Sequence, residues 1–330
     1  MRDKLRSFSF LVLAYNHEKY IIEHLESIKF LVVNYGCNIK VDLIISDDAS
    51  KDKTVEYIDS WIELNNSTFN KIVRLYNDKN IGTCACVLNL LEMVNTDACK
   101  LTAGDDVYSY EDIFSAVIAE NGVSIISGIP LHIYDGCLSK NKLEIFNIIS
   151  TQEVYKQQPI LNRFKFLSVH NAPNIIYALP YLKNEKVLQS LKKFDVVEDW
   201  PLQLSISSTF ESTDFSQLNK VLVYYRRTVG SAYIVANQRF LNDKISIYNK
   251  LVENEVGFFK KTLIKNRRFL FVRKSALLNK VINLSFYMYV IQVVVRLLKV
   301  RKSYLKLNIN MIAHCEHYNK IKECAREYYK

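Results

Sequence analysis

Over roughly the first hundred residues, short apolar runs alternate with segments whose apolar residues recur at helical spacing, and the apolar runs end in polar clusters. FSFLVLA (8–14), VDLIIS (41–46), KIVRLY (71–76) and the run at 98–102 read as strands. IIEHLESIKFLVV (21–33), a segment opening at SKDKT with Ser50 or Asp52 as cap, and a stretch near 84–95 read as helices. Strands that alternate with helices predict βαβ units and an α/β fold: a mostly parallel central sheet flanked by helices. In such sheets ligands bind outside the carboxyl ends of the strands. The polar clusters fall at those ends: Tyr15 to Glu18, then Asp47 and Asp48, then Asp105 and Asp106.

The second half is less regular. A helix is expected over 180–192 and a strand at VLVYY (221–225), and beyond about 235 the chain reads as helical. This divides it into an α/β domain, 1–231, and a basic helical extension, 232–330. VINLSFYMYVIQVVV (281–295) is the most apolar stretch and lies between Lys280 and Arg296. Its 15 residues are short of the roughly 20 that span a bilayer, which leaves a helix buried in the protein or one lying on a membrane surface. The net charge of +10 favours anionic partners, and stretches such as KKTLIKNRRFLFVRK (260–274) carry much of it. The opening MRDKLRSFSFLVLA has too short an apolar run for a signal peptide, and the seven scattered cysteines suit free thiols in a cytoplasmic setting. His314, Cys315, His317 and Cys324 cluster, but at no usual zinc-ligand spacing.

Three carboxylate pairs carry the chemistry. Asp105-Asp106 at a strand end could hold a divalent cation with one carboxylate and ribose hydroxyls with the other, or could be a solvated turn. A carboxylate of Asp47-Asp48 could accept a bond from a base N–H, or the pair could cap a helix. Glu198-Asp199 could supply a base that takes a proton from an attacking hydroxyl, or cap the helix that Pro201 begins. The dinucleotide-binding and P-loop glycine signatures and the G-x-S-x-G elbow are all missing from the sequence. The basic residues form no nucleic-acid reader's motif, and acidic strand ends would repel phosphate without a metal, so no nucleic-acid partner is expected.

LVLAYNHEKYIIEHLESI, VDLIISDDASKDKT, NDKNIG, LTAGDDVY, VVEDWPL and LVYYRRTVGS, in that order, resemble the family 2 glycosyltransferases of GT-A fold, over roughly residues 8–231. The resemblance implies an inverting transfer from a UDP-sugar to a saccharide, with Mn²⁺ or Mg²⁺. Tyr15 and Glu18 match the nucleoside-contacting segment, Asp48 the uracil-binding aspartate, Asp105 the ribose-side carboxylate and Asp106 the metal ligand. Asp199 matches the general base, with Glu198 beside it. The sequence departs from the family pattern at three points. Ala103 replaces the first motif aspartate. Thr228 stands where many members have a histidine near the diphosphate, leaving Arg226 and Arg227 to neutralise phosphate. The helix after Gly82 lacks the usual Arg or Asn, so that contact is either missing or moved to Asn89. By analogy with bacterial members that build surface polysaccharides such as O-antigen or capsule, the acceptor rides on a polyprenyl-diphosphate carrier, and the basic tail holds the enzyme peripherally on the inner face of the cell membrane. A catalytically silent sugar-nucleotide-binding scaffold is the alternative.

Overall fold

The structure, a computed structural model, describes residues 5–120, 123–166, 172–211, 213–227 and 238–329. The first part runs β1 (Ser7–Ala14), α1 (Ile21–Tyr35), β2 (Lys40–Asp47), α2 (Thr54–Asn65), β3 (Lys71–Tyr76), α3 (Thr83–Met93) and β4 (Ala98–Ala103). Next come β5 (Val107–Tyr108), α4 (Ile113–Ala119), β6 (Ile125–Tyr134), β7 (Cys137–Ser139), α5 (Lys142–Tyr155), α6 (Ile160–Phe166) and β8 (Ile175–Ala178). Then follow α7 (Leu179–Leu182), α8 (Glu185–Leu191), α9 (Asp199–Thr209) and β9 (Phe215–Arg226). The rest is helical: α10 (Gln238–Asn254), α11 (Phe258–Arg273), α12 (Ala276–Val281), α13 (Leu284–Val295), α14 (Leu297–Leu305) and α15 (Met311–Arg326).

One sheet, in the order β3-β2-β1-β4-β8-β6-β9-β5, organises these elements, with β7 paired to β6. Strands β1, β2, β3 and β4 are mutually parallel, and β6 and β9 run the same way. The sheet is therefore mostly parallel, as expected. Both faces of its central strands are covered, which is why those strands are apolar runs without a polar face. Along β1, Phe8, Phe10 and Val12 enter a core under α1 and α2, while Leu11 enters a second core under α3, α8 and α9.

The expected helices differ from the observed ones in places. The helix read over 180–192 is two, α7 and α8, because Asn184 restarts the chain by accepting a bond from Lys186 N–H at 3.0 Å. Asp52 does accept from Thr54 N–H at 3.0 Å at the start of α2, but Ser50 is bound to Asp47 and plays no part in that cap. The stretch 281–295 starts a helix only at Leu284, where Asn283 caps Phe286 N–H at 3.0 Å. It is also not buried: only Ser285, Tyr289 and Val293 of α13 are. The boundary at 231, like Thr228, lies outside the described residues. The helical extension folds back: α15 packs on α1 and β7, and Tyr318 and Ile321 join the core beneath β5 and β9. All seven cysteines are free, and among the described residues no His, Cys, Asp and Glu cluster could hold a metal with three or more ligands. His314 and His317 instead bond Tyr224 and the Tyr108 carbonyl.

Candidate active-site cleft

The carboxyl ends of β1, β2 and β4, the start of α9 and the first turn of α10 enclose a cleft of about 870 Å³. Tyr15, Glu18, Asp48, Asp105, Asp106, Glu198, Asp199 and Arg226 all line it. Residues from five separate motifs thus meet in one concavity. Arg227, exposed, and Asn89 are not among its lining residues.

The turn after β2 decides which aspartate of the first pair faces the cleft. Ala49 adopts a left-handed φ of 64°, and Asp47 accepts from Ser50 N–H at 2.8 Å and from the Ser50 hydroxyl at 2.5 Å. Asp47 is thereby spent on the turn. Asp48 receives Ile81 N–H at 2.7 Å and Gly82 N–H at 3.0 Å, which fixes the Asn80–Gly82 loop at the mouth of α3. Gly82 is required there: its φ is +89°, and a Cβ would stand 2.3 Å from Asp195 Oδ1. Glu18 accepts from Lys53 N–H at 3.1 Å, so it braces the approach to α2 as well as the cleft wall. Tyr15 is 45% exposed at the rim.

Asp105 and Asp106 sit on a turn that the rest of the chain holds from behind. Arg226 N–H donates to Asp106 Oδ1 at 2.9 Å, and Arg226 Nε to the Asp105 carbonyl at 2.7 Å. The guanidinium also pairs with Glu23 of α1, contacts the Tyr318 hydroxyl of α15 at 3.3 Å and covers the Tyr20 ring at 4.4 Å. Arg226, read from sequence as a phosphate neutraliser, is committed to this network. From the other side, His24 Nδ1 donates to the Asp106 carbonyl at 2.8 Å, and burial lowers that imidazole to about 3, so it is neutral. Lys100, fully buried on β4, donates to the Pro173 carbonyl, and burial lowers its ammonium to about 7 against the pull of Asp106.

Asp106 is held well above the usual carboxylate range, by burial first and then by the Asp105 charge. A divalent cation would relieve that strain. Two carboxylates on an open cleft fit a hard cation that completes its shell with water and substrate phosphate, and Asp105 and Asp106 are the residues that would hold it.

Glu198 and Asp199 stand where α9 begins. Asp199 Oδ1 accepts from Trp200 N–H at 2.7 Å, and acidic side chains suit a helix N-terminus. Burial, and next the Asp199 charge, push Glu198 up to about 8. Glu198 therefore keeps its proton near neutral pH.

Sequence reasoning missed several residues in and behind this cleft. Arg239 of α10 pairs with Asp195 and donates to Asn80 Oδ1 at 2.8 Å, which ties the helical extension to the Gly82 loop. Asp243 accepts from the N–H groups of Asp195, Val196 and Val197, at 2.7–3.0 Å, and so shapes the segment leading to Glu198. Lys244 stacks on Trp200 at 4.7 Å and is a nearby positive charge for the Glu198–Asp199 pair. No local motif announces these; each acts across a long sequence separation.

Abequosyltransferase RfbV of Salmonella typhimurium is 34% identical over 109 residues, 32% of this chain and 30% of that protein. The match thus spans less than a third of the relative's length. Staphylococcus aureus TarS, solved as residues 1–349 with UDP-GlcNAc, superposes with a TM-score of 0.58 at 17% identity, over 97% of this chain and 92% of that one. Mannosyltransferase PcManGT of Pyrobaculum calidifontis, solved with GDP-Man and Mn²⁺, gives 0.56 at 13% identity, over 99% and 88%. The architecture is the GT-A fold these structures share. The model of glycosyl transferase family 2 matches residues 9–176, half of the chain, and the chain belongs to that family.

Proposed function

We propose that this protein is an inverting, metal-dependent glycosyltransferase that moves a hexose or N-acetylhexosamine from a UDP-sugar to a saccharide. The acceptor sits on a polyprenyl-diphosphate carrier, in the synthesis of a bacterial surface polysaccharide such as O-antigen or capsule, at the inner face of the cell membrane. The observation that carries the reading is the convergence of Asp48, Asp105, Asp106, Glu198 and Asp199 on one cleft. The relatives support it: one is named for abequosyl transfer, and the two superposed structures hold nucleotide sugars.

The chemistry follows from the groups present. Asp199 takes the acceptor hydroxyl proton as that oxygen attacks the anomeric carbon; the carbon–oxygen bond to the diphosphate breaks, and UDP departs with the electron pair. One displacement inverts the anomeric centre. Glu198, beside Asp199, holds a proton at neutral pH. A cation on Asp105 and Asp106 would supply Lewis-acid stabilisation of the departing diphosphate. Tyr15 offers a ring at the rim for the base, and the loop that Asp48 fixes forms the wall beside it.

The test is calorimetric titration of UDP with and without Mn²⁺, alongside transfer assays with a donor panel. Wild type is expected to bind UDP only with metal, and Asp106→Asn to lose that dependence and most of the affinity. Asp199→Asn should keep UDP binding and lose transfer by about a thousandfold or more, the scale of general-base loss. Retained transfer in Asp199→Asn rejects it as the base, and absence of UDP binding under every condition rejects the donor.

A further inference from the structure

Between Glu255 and Glu316 the chain contains no acidic residue: residues 256–315 hold thirteen Lys and Arg and no Asp or Glu. That segment carries +13 against +10 for the whole chain, so the other 270 residues sum to −3. The basic character of the protein is a property of this one region. Twelve of the thirteen cations are exposed or half-exposed; Arg267 alone is buried.

The same region holds the exposed apolar surface. Of 27 exposed large hydrophobic side chains among the described residues, 17 fall within 256–306. Val256 (96% exposed), Phe258 (88%) and Leu298 (81%) are almost wholly in solvent. Single exposed hydrophobics need no explanation, but a concentration of them marks an interaction site.

We propose that the outer face of α11 to α14 is an interfacial platform that docks this protein onto an anionic lipid bilayer without spanning it. It deepens the membrane part of the function proposed above, and its test does not depend on transfer. Aliphatic and aromatic side chains interleaved with cations, and no anions among them, suit insertion between negatively charged headgroups. Nucleic acid fits less well, because twelve of the seventeen exposed hydrophobics are Val, Ile or Leu, which offer no stacking face for a base. A second copy fits less well too, since a two-fold contact would set this surface against its own positive charge.

The geometry argues against a span. By length and composition Ala276–Val295 would suffice to cross a membrane, and it is mostly exposed. The backbone, however, breaks at Asn283, leaving six residues in α12 and twelve in α13. Twelve residues reach about 18 Å, against a hydrocarbon core of about 30 Å. The inner face of α13 is also fastened to the protein. Tyr289 OH donates to the Asn147 carbonyl at 3.2 Å, and Asn266 of α11 bonds both the Ile282 carbonyl (2.9 Å) and Leu284 N–H (3.1 Å). The helix therefore lies along the body with its other side open. Behind it, Arg267 of α11 packs 5.8 Å from the Trp200 ring, joining the platform to the helix that begins with the Glu198–Asp199 pair.

The test is flotation of the full-length protein with phosphatidylcholine vesicles and with vesicles containing 30 mol% phosphatidylglycerol, at low and high salt, with UDP calorimetry in parallel. Wild type should float with the anionic vesicles and not the neutral ones. Neutralising Lys299→Gln, Arg301→Gln and Lys302→Gln together should weaken partitioning by about two orders of magnitude. The exposed set Ile291→Ser, Val294→Ser and Leu298→Ser should weaken it at least tenfold. Both variants should bind UDP as wild type does, since none of the six residues lines the cleft. Equal flotation with neutral and anionic vesicles, or no loss in either variant, overturns the proposal. So does light scattering that shows a dimer which the apolar variant dissolves, together with no vesicle binding by wild type. Loss of UDP binding by wild type would instead strike the donor reading and leave the platform standing.

Discussion

Replacing Glu198 by glutamine should make the protein's stability less sensitive to pH, and the sign follows from its surroundings. Burial and the Asp199 charge raise this carboxyl from 4.5 to about 8. Between those values the folded protein keeps a proton that the unfolded chain releases. The unfolded state then binds fewer protons, so stability falls as pH rises through the window and levels off above about 8. At about 1.4 kcal/mol per pH unit, the full cost reaches about 5 kcal/mol. Glu198 lines an open cleft and is only partly shielded from solvent, which cuts the observable share to about 2 kcal/mol. Glutamine has the same shape and no proton to lose. Urea unfolding followed by circular dichroism at pH 5.5, 7.0 and 8.5 would measure both proteins. The wild-type curve should decline relative to Glu198→Gln by about 2 kcal/mol across that range. The buried histidines His24, His314 and His317, lowered to about 3, 4 and 4, push the other way at acid pH, but they are common to both proteins and cancel in the difference. Parallel pH profiles for the two proteins would refute the claim that Glu198 holds a proton at neutral pH.

Two other substitutions probe the scaffolding of the cleft. Asp48→Asn turns an amide group toward the Ile81 and Gly82 N–H donors that the carboxylate now satisfies; it should lower stability by about 2–4 kcal/mol in urea titrations and weaken UDP binding with it. Tyr318→Phe removes the hydroxyl that donates to Glu23 at 3.2 Å behind the Asp105–Asp106 turn; a loss of about 1 kcal/mol and a few-fold rise in the Mn²⁺ needed for UDP binding are expected, and an unchanged Mn²⁺ requirement would show that α15 does not position that turn.

The strands, the sheet direction and the cleft's position were legible because each rests on local pattern. An apolar run that ends at Asp47 or before Asp105 declares both a buried strand and the edge where it stops. Where the reading fell short, the deciding contact is distant in sequence. Asn283 and Asn184 break expected helices by a single side-chain bond each, which hydrophobic period does not register. Lys100 sits in an apolar strand and gives no sign that it lies fully buried near Asp106. Nothing in MIAHCEHYNKIKECAR foretells that α15 returns to the first helix.

Arg226 shows how such distant contacts change a functional inference. Two arginines at a strand end beside an acidic turn look like charge for a diphosphate. The structure gives the first of them a carboxylate partner from α1 and sets it to hold both aspartates through their backbone and side-chain oxygens. Its positive charge is largely balanced before any substrate arrives. On the proposed function, the charge that steadies a departing diphosphate comes from other groups facing the cleft. Arg239 is tied to Asp195 and Asn80, and Lys100 is sealed beneath the sheet edge. Lys19 also lines the cleft, and the Asp105–Asp106 turn is where a divalent cation would act on the diphosphate most directly. Arg226 holds that turn in shape, an arrangement that neither its type nor its neighbours in sequence could have disclosed.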